Sequence, residues 1–361
     1  MALDRITLTR FRNHAASRLD GSARINLLVG ENGAGKTNVL EALSLLAPGR
    51  GLRRAGLAEM AEGGSGGFAV SAELDCGDGR EAVRLGTGTA PERPGRRLVQ
   101  INGAESSAAA LGEWLAIGWL TPAMDRLFAD SGGARRRYMD RLALALDPAH
   151  ARHAARYEAA LRERNRLLAG EAEPDPAWLA SLETQLAEAG AALAQGRARL
   201  VERLSEALVA LPEGPFARPS LAYAPGGPLD ADALAADLAR HRARDRAAQR
   251  TLSGPHRDEL AVALAGSGMP AASCSTGEQK AMLIAITLAH AELAGAGRPG
   301  VLLLDEVAAH LDPIRRAALF ERLGGGAAQA WLTGTELAPF ETIEAQAAVW
   351  RVAAGAVERL R

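Results

Sequence analysis

The chain has 361 residues, more than the roughly 150 of an average domain, so one large lobe and a smaller second one are expected. Hydrophobic residues make up 48 % and charged residues 24 %, which excludes a disordered or fibrous chain, and a net charge of −1 excludes a whole-molecule basic field, so nucleic acid would have to meet a local patch. Two cysteines, Cys76 and Cys274, exclude a disulfide framework. With no secretory pattern at Met1–Ile6 and no apolar run longer than Met282–Leu293, which itself carries His290 and Glu292, a soluble cytoplasmic protein with no membrane partner is expected.

Residues 1 to about 47 read as two strands and a helix. Ile6 and Leu8 alternate with polar residues, Ile25–Val29 is a short apolar run, and an amphipathic helix carrying Val39, Leu40, Leu43 and Leu46 closes at Pro48-Gly49. Phe68, Val70, Ala72 and Leu74 then alternate at period two, with turn signals at Gly77-Asp78-Gly79 and Asn102-Gly103, which predicts an antiparallel meander. From about Asp125 the sequence becomes long and helical. One helix spans about Pro148–Leu168 with Tyr157, Leu161 and Leu168 on one face. After the turn Gly170–Pro176, apolar residues from Leu179 to Leu211 follow three-four spacing, broken once near Gly196 and Arg197. Two such helices predict an antiparallel coiled-coil arm of about 30 to 50 Å, at about 1.5 Å per residue. From about Thr251 the strand-helix pattern returns: a helix opens after Gly277, and Val301–Leu304 and Gln329–Leu332 read as buried strands. The expected organisation is therefore a discontinuous head, 1–124 with 251–361, split by a helical arm, 125–250.

Three elements carry chemistry. Gly30-Glu31-Asn32-Gly33-Ala34-Gly35-Lys36-Thr37, between a strand and a helix, is a phosphate-binding loop. Its backbone N–H groups and the helix N-terminus face phosphate oxygens, Lys36 reaches the β- and γ-phosphates, and the Thr37 hydroxyl is placed for Mg²⁺. Val301-Leu-Leu-Leu-Asp305-Glu306 is the matching acidic strand: Asp305 faces the metal, in part through water, and Glu306 polarises the attacking water. Ser275-Thr-Gly277-Glu278-Gln279-Lys280 opens a helix upstream of it, where the bland alternative is an ordinary N-cap. Only Lys36 and Lys280 are lysines among the 42 basic residues, so a cation that stayed lysine is informative, and Lys280 is expected to act at a subunit interface.

The order of these elements resembles that of ABC-type ATPases, in which the Ser275-Gly277 segment would serve as the signature motif and Ala309-His310-Leu311-Asp312 as the D-loop after the catalytic glutamate. Leu8-Thr-Arg-Phe11-Arg12-Asn13-His14, Ser131–Asp140 with its Arg135-Arg136-Arg137 run, Tyr157–Leu168, and Gly254-Pro255-His256-Arg257-Asp258 narrow the likeness to the RecF family, from end to end of the chain. Departures are Thr276, where a basic residue is expected, and Thr333-Gly334-Thr335, where ABC transporters carry a switch histidine. His256-Arg257-Asp258 lacks the downstream asparagine of a kinase catalytic loop, Ala263 standing there.

The resemblance implies an α/β, ABC-type P-loop head with an antiparallel meander, and a weak, DNA-dependent ATPase using ATP and Mg²⁺. Bound ATP would join two subunits head to tail on DNA, contacted by Gly30–Thr37 of one and by Ser275, Gly277, Lys280 and Asp312 of the other. Catalysis would rest on Lys36, Asp305 and Glu306, with Thr37 and Asp305 at the metal. The implied targets are single-strand gaps, single-strand/duplex junctions and duplex DNA, and the implied partners are RecR with RecO and, indirectly, RecA, in recombinational repair, replication recovery and the SOS response. For DNA contacts, Arg50, Arg53 and Arg54 stand as even candidates. Arg135–Arg137 are expected rather to line a helix end or pair with nearby acids, and Arg242, Arg244 and Arg246 to form a solvated face.

Overall fold

The structure is a computed structural model that describes residues 2–64, 66–77, 81–212, 214–295, 297–308 and 311–361. In chain order the strands are β1 Leu3–Phe11, β2 His14–Leu19, β3 Ile25–Val29, β4 Phe68–Leu74, β5 Val83–Ala90, β6 Arg93–Ile101, β7 Ala104–Glu105, β8 Ala116–Leu120, β9 Pro219–Ala224, β10 Glu259–Leu264, β11 Gly300–Leu304, β12 Gln329–Gly334, β13 Ala347–Ala353 and β14 Ala356–Arg359. The helices are α1 Lys36–Ser44, the single turns α2 Leu57–Met60 and α3 Leu111–Trp114, then α4 Gly132–Leu146, α5 Ala149–Ala169, α6 Pro176–Ala210, α7 Ala231–Arg240, α8 Arg242–Ala247, α9 Thr276–Ala294, α10 Pro313–Gly325 and the turn α11 Glu341–Glu344. None of the described helices is long and apolar enough to cross a membrane.

Two compact units emerge, one of residues 1–125, 212–217 and 283–361, the other of residues 126–211 and 218–282. In the first, a sheet of order β14-β13-β3-β12-β11-β8, parallel but for β14, and an antiparallel sheet of order β2-β1-β4-β5-β6-β7 share one core with α1. The fully buried runs of β3 and β11 are what parallel strands covered on both faces require, and the antiparallel sheet is the expected meander. Trp331 stacks on Trp350 with ring centroids 5.3 Å apart, and Phe11 meets Phe68 edge-on at 5.2 Å.

The second unit is the helical arm. His150 beside Gly196, Tyr157 beside Gly190 and Arg164 on Glu183 step forward along α5 and backward along α6, so the pair is antiparallel. At 35 residues, α6 extends for about 50 Å. The chain also lays α7 on this pair, where Leu234 and Leu238 share a core with Tyr157, Leu186 and Leu193.

Several expectations need correction. The first 47 residues hold three strands, because His14 and Ser17 are buried on β2 although they are polar. The interruption of the apolar seam near Gly196 and Arg197 is there but does not stop the helix: α6 runs through it, Gly196 making room for the His150 ring and Arg197 turning inward to an ionic network in place of a leucine. Residues 251–282, assigned above to the head, group with the helical unit, since β10 pairs along β9 and Arg197 grips Asp258. Residues 212–217 go the other way, with Arg315 Nε donating to the Pro215 carbonyl at 3.2 Å and Arg322 lying over the Phe216 ring. The Gly77-Asp78-Gly79 turn falls partly outside the described residues.

Candidate nucleotide site

β3 ends at Val29 and the chain turns through Gly30–Gly35 into α1. Gly35 caps the helix at φ +116°, and a Cβ there would press on Asn13 Oδ1 and His14 Nε2, each 2.8 Å away; a Cβ on Gly30 would collide with the Val352 carbonyl. Asn13 and His14 sit this close because they hold the loop. Asn13 Nδ2 donates to the Ala34 carbonyl at 3.0 Å and His14 Nε2 lies 3.1 Å from the Gly35 carbonyl, so that nitrogen carries the proton. The Phe11–His14 stretch, noticed in the sequence only as a resemblance, is thus the buttress of the loop.

Lys36 is buried and folds back to donate to the carbonyls of Gly30 at 2.6 Å and Glu31 at 2.8 Å. Burial pushes its ammonium below the usual lysine range, while Glu306 and Asp305 pull the other way. Thr37 Oγ1 donates toward the Asp305 carboxylate, at 2.9 and 3.1 Å from its two oxygens. Asp305 follows β11, whose register beside β12, and that of β12 beside β3, brings the acidic pair level with the loop at the carboxyl ends of the strands. Glu306 has φ +53°, a left-handed conformation that disfavours a non-glycine residue and clusters at functional sites.

Around α1, buried Glu41 accepts a two-pronged bond from Arg12, at 2.9 and 2.7 Å, and one from Arg53 at 2.9 Å. Arg53 also donates to Asn38 Oδ1 at 2.6 Å, and Asn38 Nδ2 to Asn13 Oδ1 at 2.7 Å, so Arg53 is a strut of the loop. Arg97 reaches the C-terminal end of α1, donating to the carbonyls of Leu45, Ala47 and Gly49 and to Thr87 Oγ1. Burial without a carboxylate lowers its pKa to about 10.

In the helical unit, Ser275 caps α9: its Oγ accepts from Glu278 N–H at 3.3 Å, while Glu278 takes Ser275 N–H at 2.8 Å. Cap and exposure coexist, for Ser275, Thr276 and Gly277 are all exposed. Lys280, the lysine expected at a subunit interface, is 9 % exposed in the single chain. In the first unit, Asp312 is exposed and caps α10, accepting from Arg315 N–H at 2.9 Å. Of the segment read as a D-loop, Ala309 and His310 lie outside the described residues.

The arginines sort differently from the sequence reading. Arg135 binds Glu259 through two bonds, at 2.5 and 2.8 Å, pairing with an acid as expected, whereas Arg136 donates to the Asp258 backbone carbonyl. Arg244 is exposed as expected, whereas Arg242 and Arg246 are drawn into contacts. Arg242 clasps Glu183 at 2.6 Å, Arg244 lies 3.5 Å from buried Asp245, and Arg246 holds the Glu171 and Ala172 carbonyls. His256 and Asp258 also serve the fold. His256 lies 2.8 Å from Tyr157 Oη, and Asp258 takes Arg197, Tyr223 and the Gly226 N–H.

The RecF/RecN/SMC N-terminal domain family matches residues 2–356. The chain is 48 % identical to the DNA replication and repair protein RecF of Mesorhizobium japonicum, over 98 % of this chain and 97 % of that one. It is 45 % identical to the RecF of Brucella suis, over 98 % and 95 % respectively. Among solved structures, a recombination mediator protein RecF with ATP superposes with a TM-score of 0.86 at 23 % identity, covering 100 % of this chain and 98 % of that one. An SMC head domain from Pyrococcus furiosus follows at 0.52 and 16 %, covering 99 % and 96 %. The P-loop, the acidic strand beside it, the antiparallel sheet and the helical arm are thus the parts of one known architecture, and the chain belongs to the RecF family of DNA replication and repair proteins, within the ABC-type ATPases related to RecN and SMC.

Proposed function

We propose that this protein is an ATP-driven, DNA-binding switch of recombinational repair in the cytoplasm. The observation that carries the reading is the convergence of Lys36, Thr37, Asp305 and Glu306 at one end of the parallel sheet, with Thr37 and Asp305 already in contact. ATP is the substrate: the Gly30–Thr37 loop holds its phosphates, and Lys36 exchanges two loop carbonyls for phosphate oxygens. A hydroxyl beside one carboxylate is an oxygen-only donor set that fits Mg²⁺, which is usually held by one or two protein oxygens together with phosphates. Thr37 and Asp305 would hold the metal, which would neutralise charge on the phosphates. The Glu306 carboxylate accepts a proton from water as its oxygen bonds to the γ-phosphorus and the bond to the β–γ bridging oxygen breaks, giving ADP and phosphate.

The exposed Ser275–Gly277 start of α9 supports the second half of the reading: it is free to meet ATP held by another copy, and Asp312 is exposed as well. ATP then closes a head-to-tail dimer on DNA and slow, DNA-stimulated hydrolysis opens it. DNA at single-strand gaps, junctions and duplexes is gripped through phosphates, so binding falls steeply with salt. RecR with RecO, and through them RecA, are the protein partners, in replication recovery and the SOS response. Sedimentation with ATP and DNA tests the switch: wild type dimerises, Lys36→Arg and Ser275→Arg alone do not, and their mixture recovers dimer through one intact composite site. Failure of the mixture to dimerise overturns the sandwich. Glu306→Gln should lower turnover about 10²- to 10⁴-fold, and unchanged hydrolysis removes Glu306 as the base.

A further inference from the structure

β12 lies between the strand that delivers the P-loop and the strand that delivers the acidic pair, and Thr333 stands near its carboxyl end, 1 % exposed. Its hydroxyl makes two bonds at once. It accepts the Glu306 backbone N–H at 2.8 Å and donates to Asp305 Oδ1, also at 2.8 Å. The two residues it touches are the ones whose geometry hydrolysis needs, and one of them, Glu306, is held at φ +53°. A left-handed non-glycine residue persists only where its surroundings over-determine it, and a buried N–H with a dedicated acceptor does that. Asp305 is held by a second hydroxyl, Thr37 Oγ1. On the reading above, the Thr37 hydroxyl would also serve the metal, whereas Thr333 has only Asp305 and the Glu306 N–H to hold.

We propose that Thr333 is the positioning residue of the ATPase site, fixing the backbone of Glu306 and the rotamer of Asp305 through one hydroxyl. The inference rests on the assignment of Asp305 and Glu306 to ATP hydrolysis. It gives a purpose to a position that is conspicuous in the sequence only because it carries no switch histidine. Thr333→Val removes the hydroxyl and keeps the shape; Thr333→Ser keeps the hydroxyl and drops the methyl. In the full-length protein with duplex DNA, Thr333→Val should lower kcat about 10- to 100-fold while KM for ATP stays within about twofold, and Thr333→Ser should recover most of the rate.

A second readout does not use turnover. Binding of a fluorescent ATP analogue without Mg²⁺ should match wild type in Thr333→Val, but the Mg²⁺ concentration that half-saturates the tighter complex should rise about tenfold. A kcat within twofold of wild type in Thr333→Val, or a Thr333→Ser as slow as it, overturns the proposal. If Thr333→Val does not fold, Thr333→Ala carries the same comparison with Thr333→Ser. If wild type and Glu306→Gln turn over alike, the hydrolysis reading has failed instead. The Mg²⁺ titration then decides alone: an unchanged midpoint overturns the role of Thr333, and a raised midpoint restored by serine supports it.

Discussion

Lys36 and Arg97 in the head are held in the opposite way from Arg164 and Arg197 in the helical unit. In the head, Lys36 and Arg97 are solvated by backbone carbonyls, two for the lysine and three for the arginine. In the helical unit, Arg164 and Arg197 are solvated by carboxylates: Glu183 and Asp245 for the first, Asp140 and Asp258 for the second. A carbonyl neutralises nothing, so the charge on Lys36 stays available to an incoming anion, and the loop can exchange its own oxygens for those of a phosphate. A carboxylate cancels the charge and fixes the geometry. Lys36 can still attract an anion, whereas Arg164 and Arg197 are insensitive to one.

The largest test of that contrast is Arg164→Ala. The guanidinium is fully buried, with Glu183 at 3.0 Å, Asp245 at 2.8 Å, Thr251 Oγ1 at 2.8 Å and the Leu238 carbonyl at 3.2 Å. Its removal leaves Asp245 only the 3.5 Å ion pair with Arg244 and leaves Glu183 to Arg242 alone, which should cost about 3–5 kcal/mol in urea unfolding followed by circular dichroism. Nucleotide binding by the folded fraction should be unaffected. A cost below about 1 kcal/mol would show that water enters the network and that the arm does not depend on it.

Arg97→Ala should do less, because it strands carbonyls and a hydroxyl rather than carboxylates. About 1–3 kcal/mol is expected from the loss of bonds to buried acceptors, seen as a lower thermal midpoint. Arg97→Lys should recover part of it, since one ammonium cannot span the fork from Thr87 to Gly49. Equal losses in Arg97→Ala and Arg164→Ala would erase the distinction between the two ways of burying charge.

What was legible in the sequence divides along the same line. Gly30–Thr37, Asp305 and Glu306 could be read because their chemistry is local: a loop between strand and helix, acids after a buried strand. The partners of the arm arginines could not. Arg242 meets Glu183 across 59 residues of chain, and its neighbours Arg244 and Asp245 make the stretch resemble a solvated helix face. β2 was missed because its buried positions hold His14 and Ser17, whose partners, the Gly35 and Gly355 carbonyls, come from distant segments. Lysine scarcity singled out Lys280, yet composition says nothing of burial, and the residue is 9 % exposed. Thr333 was visible only as a missing histidine, since the two bonds that define its part span 27 and 28 residues.

The smallest expected effect concerns His14, where the two regimes meet: a titratable ring solvated by a backbone carbonyl, at the edge of the P-loop. Burial lowers its pKa below the usual 6.5, although the Gly35 and Gly355 carbonyls favour the charged form. The folded state therefore binds the proton less readily than the unfolded chain does. A depressed pKa contributes stability above the unfolded value, and that contribution is lost as pH falls from about 6.5 through the folded value. His256, also lowered by burial, acts in the same direction from the other unit. Between pH 7.5 and 5.5 the urea midpoint of wild type should fall, and His14→Gln, whose amide can still donate to Gly35, should fall less. The decline that persists in His14→Gln but vanishes in a double variant with His256→Gln assigns the remainder to the arm. A midpoint independent of pH over this range would mean that the His14 ring is already hydrated, and that the P-loop buttress is looser than its contacts with Gly35 and Ser17 indicate.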